Sequence, residues 1–284
     1  MHKISGLVIF CAALGFANGP MASDANAQSR MSHCIAIAET IPGAAFVQKA
    51  GFRDPVAQYS VRISYVTHSS YLVQTVSGLS VVTDYAGFLG SAPFIPDVVT
   101  MNHAHSSHFT GAPDPAIQHV LRGWSEEFGA QVDHHLDLGE MLIRNVSTDI
   151  RSMSGVEQNG NSIFIFEVEG LCIGHLGHLH HEPNDDQYAA IGRLDIVMVP
   201  VDGGMTLDTA SMVRVVERLK SSIVLPMHWF SGASLQWFLE GVKDEFDIDI
   251  RAESEITVSL RDLPRRRTVI VLQPAWLSDD GVKE

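Results

Sequence analysis

The sequence predicts an α/β fold, with β-sheets at the centre, helices outside them and a functional site along one sheet edge. Segments with strand patterns outnumber segments with helix patterns. Most of the candidate metal-binding residues directly follow a strand-like segment. The chain has 284 residues, of which 45% are hydrophobic, so one domain could bury a sizeable core.

The N-terminal half of the chain has the patterns of short β-strands. Residues 61–66 alternate between apolar and polar side chains, which is typical of a half-buried strand. Two further strand-like segments, 71–76 and 79–83, are separated by Ser77-Gly78 and predict a strand meander. Residues 97–101 are also strand-like and lead directly into a histidine-rich segment.

The C-terminal half combines strand patterns with two amphipathic helices. The predicted strands are residues 162–168, 171–174, 195–201, 223–225, 256–260 and 268–272. The predicted helices are residues 208–220 and 234–246, which each place apolar side chains on one face at helical spacing. Asp208 or Thr206 is expected to cap the first of these helices.

The first 27 residues have the pattern of a secretory signal peptide. Lys3 precedes an apolar stretch at residues 4–17, and Ala25-Asn26-Ala27 matches an A-x-A cleavage site. The apolar stretch is short for a membrane span, which needs about 20 residues, and an uncleaved anchor is the alternative. We predict cleavage after Ala27, a single domain at residues 28–284, a periplasmic or secreted location, and no stable membrane span after cleavage.

The charge of the chain argues against a nucleic-acid partner. Its formal net charge is −14, and phosphate binding needs a clustered basic surface. The one basic run, Arg265-Arg266-Arg267, lies between two predicted strands and is interpreted as a solvated turn. The chain is therefore not expected to bind nucleic acid; its expected partner is a small-molecule substrate.

Two cysteines, Cys34 and Cys172, would remain after cleavage of the signal peptide. An oxidising compartment would allow them to pair, but the sequence does not give the distance between their Cα atoms. Because Cys172 lies in an apolar strand-like segment, a buried, unreactive thiol is the preferred interpretation.

The chain has 14 histidines, and the first histidine-rich segment contains His103, His105 and His108 directly after a predicted strand. In such a loop the side chains at i and i+2 can converge on one centre, and a turn can bring i+5 beside them. Neutral imidazole is a common ligand of zinc and similar ions. The segment is predicted to bind a metal, and a polar loop of unconnected histidines is the alternative.

A second histidine-rich segment follows another predicted strand. Its histidines are His175, His178, His180 and His181. Gly177 permits a tight bend there. His181 is expected to face solvent, whereas His180 could be a ligand or face solvent. His228 would more often be a structural histidine, but its position at the end of a third strand favours a role in the same site.

Several segments resemble the metallo-β-lactamase superfamily. Residues 103–108, His-Ala-His-Ser-Ser-His, resemble its H-x-H-x-D-H signature. The segments that resemble its ascorbate-6-phosphate lactonase-like branch, in the same order, are residues 65–70, 82–84, 175–178, 199–204 and 225–228. The resemblance extends from about Val61 to His228. It implies a four-layer αββα sandwich of the metallo-β-lactamase type, with its site at the sheet edge.

By position, the resemblance implies a first metal site formed by His103, His105 and His175. His108 and His228 would contribute to a second site. The three nitrogens of the first site would leave a coordination position open for water.

The resemblance also implies residues beside the ligands. His68 would be a near neighbour, with a turn or core histidine as the alternative. Asp84 would accept a hydrogen bond from a ligand imidazole and orient it, unless it is only a turn residue at a strand end. Asp202 is a candidate compensating carboxylate, although Asp-Gly-Gly is equally typical of a turn.

Two positions depart from the pattern of the superfamily. Ser107 stands where its members usually carry a metal-binding Asp, and His178 stands where they usually carry the bridging Asp. Histidine can bind one metal but cannot bridge two through carboxylate oxygens. We therefore predict one tightly held ion at the first site and a weaker or partly occupied second site. His178 is predicted to be a further metal ligand, with a ring that only packs the loop as the alternative.

These features predict a hydrolase that uses a metal-bound hydroxide on a lactone, carboxylic ester or phosphoester. His178 or His68 would move protons. Zn²⁺ is the expected ion, one or two per chain, with Mn²⁺ and Fe²⁺ as alternatives. Two other functions stay open: a secreted metal-binding protein of the same fold without turnover, and a mononuclear iron redox enzyme.

Overall fold

The computed structural model describes residues 30–36, 51–152 and 155–279; the predicted signal peptide lies outside them. The described strands are β1 (Ser60–Thr67), β2 (Ser70–Gln74), β3 (Ser80–Val82), β4 (Val98–Met101), β5 (His119–Arg122), β6 (His135–Asp137), β7 (Met141–Ser152), β8 (Gly155–Val168), β9 (Leu171–His175), β10 (Ile196–Pro200), β11 (Ile223–Met227), β12 (Asp247–Ile250), β13 (Glu255–Ser259) and β14 (Thr268–Val271). The described helices are α1 (His33–Ala36), α2 (Asp185–Ile191), α3 (Thr209–Leu219), α4 (Gly232–Val242) and a 3-10 turn at Leu260–Asp262. No helix among the described residues is both long and apolar enough to cross a membrane.

Two β-sheets form the centre of the molecule. The first has the strand order β13-β1-β2-β3-β4-β5, and the second has the order β12-β14-β11-β10-β9-β8-β7-β6. In the first sheet β1, β2 and β3 form an antiparallel meander, as the sequence predicts, and β4 and β5 continue parallel to β3. In the second sheet β9 to β12 and β14 are parallel, and β6 to β9 are antiparallel.

The apolar core lies between the two sheets, where side chains such as Val73, Phe166 and Leu225 are fully buried. A second apolar layer joins the outer face of the second sheet to α2, α3 and α4. Loop residues, including Tyr85 and Ile117, cover the outer face of the first sheet. This architecture confirms the predicted α/β fold class.

The boundaries of most predicted elements are close to those observed. Helix α3 begins after Asp208, whose side chain accepts a hydrogen bond from the backbone N–H of Ser211 at 3.0 Å, so the predicted cap is confirmed. The elements that the sequence patterns missed are α1, α2, β5, β6, β7 and β12. In β7 the polar residues Arg144 and Asn145 interrupt the apolar pattern, yet both have hydrogen-bond partners within the sheet.

The preferred interpretation of Cys172 as a free thiol is wrong, because Cys172 forms a disulfide with Cys34. Their Cα atoms lie 5.8 Å apart. The buried carboxylate of Glu167 holds the segment of α1 against the second sheet. It accepts hydrogen bonds from the Ser32 hydroxyl and, at 2.9 Å, from the backbone N–H of His33. The disulfide thus links α1 to β9.

The histidine-rich segments meet at one edge of the sandwich, because the carboxyl ends of parallel strands lie at the same edge of a sheet. His105 and His108 lie in the loop after β4, His178 lies after β9, and His228 directly follows β11. His68 lies in the turn between β1 and β2 at this edge.

Candidate metal centre

Four histidines converge at this edge. They are His68, His105, His108 and His228, and we call them the histidine cluster. One ring nitrogen of each lies within 4.8 Å of those of the other three. The rings of His68 and His228 are closest, with centroids 4.0 Å apart. The structure therefore brings together residues from three separate segments of the chain.

Backbone conformation holds the histidine cluster in place. His68, Asp84 and His228 all have positive φ angles, of 45°, 45° and 57° respectively. Such angles are uncommon for residues other than glycine, and they are retained where the surrounding structure imposes them. The backbone N–H of His228 donates to the carbonyl of His68 at 2.8 Å, and the Tyr65 hydroxyl donates to the same carbonyl at 2.6 Å. The turn at His68 is thus fixed to the end of β11.

Two carboxylates lie behind two rings of the histidine cluster. Oδ2 of Asp84 lies 2.5 Å from Nδ1 of His108, and Oδ2 of Asp202 lies 2.9 Å from Nδ1 of His228. The side chains of all four residues are buried. A carboxylate beside Nδ1 favours the tautomer with the proton on Nδ1 and turns the Nε2 lone pair toward the centre. Asp84 therefore lies where the predicted orienting carboxylate should lie.

Both carboxylates stay ionised. Burial alone would raise the pKa of Asp84, but the neighbouring His108 ring and hydrogen bonds from His108 and Asn102 outweigh it and hold the pKa below its ordinary value. For Asp202, the adjacent His228 ring and hydrogen bonds from Thr206 likewise outweigh burial and lower the pKa. Each ring therefore faces a negative charge on its Nδ1 side.

The arrangement of the Nε2 atoms fits a metal ion. Nε2 of His108 lies 3.1 Å from Nε2 of His228, and two lone pairs at that distance repel unless a cation lies between them. In a tetrahedral zinc site with 2.0–2.1 Å bonds, ligand nitrogens lie about 3.3 Å apart. Nε2 of His68 is buried without a hydrogen-bond partner in the described parts of the chain. The nitrogen donors present therefore suit a cation such as Zn²⁺.

His105 completes this arrangement through a serine. Oγ of Ser107 lies 2.7 Å from Nδ1 of His105, so the position that departs from the superfamily pattern contacts a ring of the histidine cluster. Burial lowers the pKa of His105 to about 4 and that of His68 to about 3, with further lowering from neighbouring histidines. Both rings are neutral near pH 7, which is the form that binds a metal.

His178 reaches the histidine cluster, as the sequence predicts. Its Nε2 lies 3.0 Å from Nε2 of His105, and its Nδ1 lies 2.5 Å from Nε2 of His180. Burial, together with neighbouring rings, keeps the pKa of His178 well below its ordinary value. His180 is also buried, whereas His181 is exposed, as expected.

The structure does not bring His103 into the histidine cluster. Its Nδ1 lies 2.8 Å from Oε1 of Glu157, and its ring stacks on Trp124 with centroids 4.8 Å apart. Its ring is thus held outside the centre by two residues from other segments.

His175 also lies outside the histidine cluster. Its Nε2 donates to the carbonyl of Ser69 at 2.8 Å, and its Nδ1 accepts the backbone N–H of Gly177 at 3.1 Å. Both nitrogens are therefore engaged by the backbone. The structure therefore does not bring His103 and His175 to His105 as the predicted first site requires.

An aromatic and acidic cavity lies beside His103. It has a volume of about 230 Å³ and is lined by residues that include His103, Trp124, Phe128 and Glu157. Phe230 lies at the histidine cluster itself, with its ring 5.2 Å from that of His68 and 62% of its surface exposed. No motif marks these residues, although Phe230 follows His228 by only two positions.

The region of the chain that resembles known proteins contains the whole histidine cluster. A model of the family described as "Beta-lactamase superfamily domain" matches residues 62–228. The chain is 23% identical over 203 residues to a protein of Methanosphaerula palustris named "UPF0173 metal-dependent hydrolase", which covers 66% of this chain and 92% of that protein. A similarly named protein of Nanoarchaeum equitans is 22% identical over 185 residues, covering 60% of this chain and 84% of the relative.

Solved structures share the fold. One from Thermotoga maritima, described as a zinc-dependent hydrolase of the metallo-beta-lactamase superfamily, has a TM-score of 0.53 and 23% identity, covering 75% of this chain and 98% of that one. A structure from Parabacteroides distasonis, described as a metal-dependent hydrolase, has a TM-score of 0.51 and 14% identity, covering 75% and 94%. At these identities the likeness concerns the fold.

Proposed function

This chain belongs to the family described as the beta-lactamase superfamily domain, and from that premise we propose that it is a secreted metal-dependent hydrolase. Its substrate is a lactone, a carboxylic ester or a phosphoester. The relatives named metal-dependent hydrolases support the reaction class. The choice among these substrates rests on the range of reactions that the fold supports.

One observation carries the proposal. Nε2 of His108 and Nε2 of His228 face each other at 3.1 Å while a carboxylate lies behind each ring. This arrangement is unfavourable without a cation and favourable with one. A carboxylate commonly lies behind a histidine that binds a metal, where it orients the ring and makes the ring a stronger electron donor to the metal.

His105, His108 and His228 would hold the ion, because an oxygen atom lies beside Nδ1 of each ring and turns Nε2 toward the centre. When bound, such an ion lowers the pKa of water and polarises a carbonyl or phosphoryl oxygen. His68 lies beside the three ligands, and within the described part of the chain its buried Nε2 has no hydrogen-bond partner, so it would accept a hydrogen bond from a water molecule at the centre. Phe230 forms an apolar wall next to His68.

One ion per chain is the expected stoichiometry. A second ion usually depends on carboxylates, but Asp84 and Asp202 each face an imidazole, and Ser107 contacts His105. Zn²⁺ is the expected ion, because three neutral imidazoles with an open position are typical of catalytic zinc. Mn²⁺ and Fe²⁺ are the alternatives.

The proposed location rests on the signal-peptide pattern of residues 1–27. The disulfide between Cys34 and Cys172 agrees with an oxidising compartment. Mass spectrometry of exported protein should find Gln28 at the N-terminus. Recovery of only the full-length chain from the cytosol would contradict export.

The test combines metal analysis with a screen for hydrolysis. Protein purified without added metal is dialysed, its metals are quantified, and chromogenic lactones, esters and phosphoesters are assayed before and after chelation. We expect one equivalent of metal, activity that chelation removes and zinc restores, and no activity in His228→Ala. Metal binding without turnover would instead indicate a metal-binding protein, and oxygen consumption with bound iron would indicate a redox enzyme.

A further inference from the structure

We propose that His178 is a hydrogen-bond donor in the centre instead of a metal ligand, and that His180 sets this role by fixing its tautomer. The inference rests on the proposed function, and it assigns a catalytic contact to a position where the superfamily usually carries the bridging aspartate. A chain of three hydrogen bonds carries it. The direction of each bond follows from the one before.

The series of hydrogen bonds begins at a backbone amide. The N–H of Arg151 lies 2.6 Å from Nδ1 of His180. An amide nitrogen of the backbone can only donate, so Nδ1 of His180 is an acceptor. Burial lowers the pKa of His180 to about 4, and the ring is neutral near pH 7. A neutral imidazole with a free Nδ1 carries its single proton on Nε2.

The second hydrogen bond joins His180 to His178 and determines which atom of His178 accepts. Nε2 of His180 lies 2.5 Å from Nδ1 of His178, and it donates because it carries the proton. Nδ1 of His178 is therefore an acceptor. An imidazole nitrogen that accepts a hydrogen bond carries no proton. The proton of His178 must therefore lie on Nε2.

The third bond directs that proton to the centre. Nε2 of His178 lies 3.0 Å from Nε2 of His105, whose Nδ1 contacts Ser107. A protonated ring nitrogen has no lone pair with which to bind a metal. It can donate to an oxygen atom of water or substrate that enters the centre beside His105.

The rings of His108 and His228 provide an internal contrast. Each has a carboxylate behind Nδ1, which turns a lone pair toward the centre. His178 has a hydrogen-bond donor behind Nδ1, which turns an N–H toward the centre. Three buried histidines with similar positions thus divide into two ligands and one donor according to the group behind each ring.

A donor at this point would stabilise the negative charge that develops on a carbonyl or phosphoryl oxygen during hydrolysis. Removing one such donor from an enzyme typically lowers kcat by about 10²–10³-fold. A bridging aspartate could not do this, because an ionised carboxylate only accepts. At this position the protein therefore carries a hydrogen-bond donor where the superfamily usually carries a metal ligand.

Nitrogen NMR tests the tautomers directly. Two-bond ¹H–¹⁵N correlation spectra of the zinc-loaded protein distinguish histidines protonated on Nδ1 from those protonated on Nε2. We expect the Nε2–H pattern for His178 and His180. A His178 ring that binds zinc through Nε2, or that carries its proton on Nδ1, would overturn the proposal.

The variant His180→Glu should reverse the donor and acceptor roles in the hydrogen bond between residue 180 and His178. A carboxylate accepts from Nδ1 of His178, so the proton moves there and Nε2 gains a free lone pair. We expect the NMR pattern of His178 to switch and zinc affinity to rise, since another ligand becomes available. The control His181→Glu adds the same charge one residue away on an exposed side chain and should change neither measurement.

The variant His178→Ala separates a donor from a ligand. We expect it to retain one equivalent of zinc while kcat falls by about 100-fold. A loss of zinc equal to that in His228→Ala would contradict a donor role. The NMR and zinc measurements need no substrate, so an absence of turnover in the wild-type protein would refute only the proposed function. If His180→Glu does not fold, the wild-type spectrum alone still decides the tautomer of His178.

Discussion

Oδ2 of Asp202 lies 2.9 Å from Nδ1 of His228, and both side chains are almost completely buried. The contact joins the turn after β10 to the end of β11, so a carboxylate that the sequence left between two interpretations faces the histidine cluster. The same side chain accepts hydrogen bonds from the backbone of Gly204 and Thr206. Asp202 therefore shapes its turn and orients His228.

Asp202→Asn should weaken metal binding. The amide keeps an oxygen for the turn but presents an NH₂ group to His228, which favours the tautomer without a free Nε2. Loss of such an orienting carboxylate typically lowers metal affinity by about 10–100-fold. Zinc titration against a chromophoric chelator measures it. Asp208→Asn, in the cap of α3, is the matched control, and equal affinities in the two variants would contradict the role of Asp202.

His103→Ala should retain the metal, whereas His105→Ala should lose it. The two histidines lie in one loop, but only His105 belongs to the histidine cluster, and His103 is held by Glu157 and Trp124. Elemental analysis after dialysis should find about one equivalent of zinc in His103→Ala, because the three ligands that zinc requires are intact. Loss of metal from His103→Ala would show that its ring turns into the centre.

The sequence located the site but not the direction of each ring. The order of strands and the histidines that follow them could be predicted, because periodicity and strand ends are local properties. The ring of His103 depends on Glu157 and Trp124, which are distant in sequence and carry no motif. The ring of His175 depends on the carbonyl of Ser69, which only the folded sheets bring near.

Long-range contacts explain the other differences. The disulfide between Cys34 and Cys172 spans 138 residues, and nothing local to either cysteine predicts it. Strand β7 was missed because Arg144 and Asn145 are polar, yet Glu167 and Ser162 satisfy their side chains inside the sheet. Buried polar pairs of this kind remove the alternation on which strand prediction depends.

The metal-free protein should lose stability as the pH falls below about 6.5. Burial lowers the pKa of His68 to about 3 and that of His105 to about 4 in the folded state, whereas the unfolded chain has ordinary values of 6.5. The unfolded state therefore binds more protons in this range, and acid favours unfolding. Tm measured in the presence of a chelator should fall between pH 7 and pH 4.

His105→Gln should reduce this dependence on pH, because one of the titrating rings is removed. His181→Gln, on an exposed side chain, should leave it unchanged. A Tm of the metal-free wild-type protein that rises on acidification would contradict the low pKa values.

Removal of the disulfide should destabilise the fold without changing the metal centre. The double variant Cys34→Ser and Cys172→Ser frees a loop of 138 residues in the unfolded chain. Disulfides typically contribute about 2–4 kcal/mol, and urea unfolding should show a loss of that size in the free energy of unfolding. Zinc content should stay at one equivalent. Unchanged stability in the double variant would show that α1 is held mainly through Glu167.

The position of the bound ion shows whether the histidine cluster is the metal site. Anomalous diffraction at the zinc edge from crystals of the zinc-loaded protein identifies the zinc and locates it. We expect one ion at about 2.0–2.1 Å from Nε2 of His105, His108 and His228. An ion bound instead by His103 and His175 would contradict it.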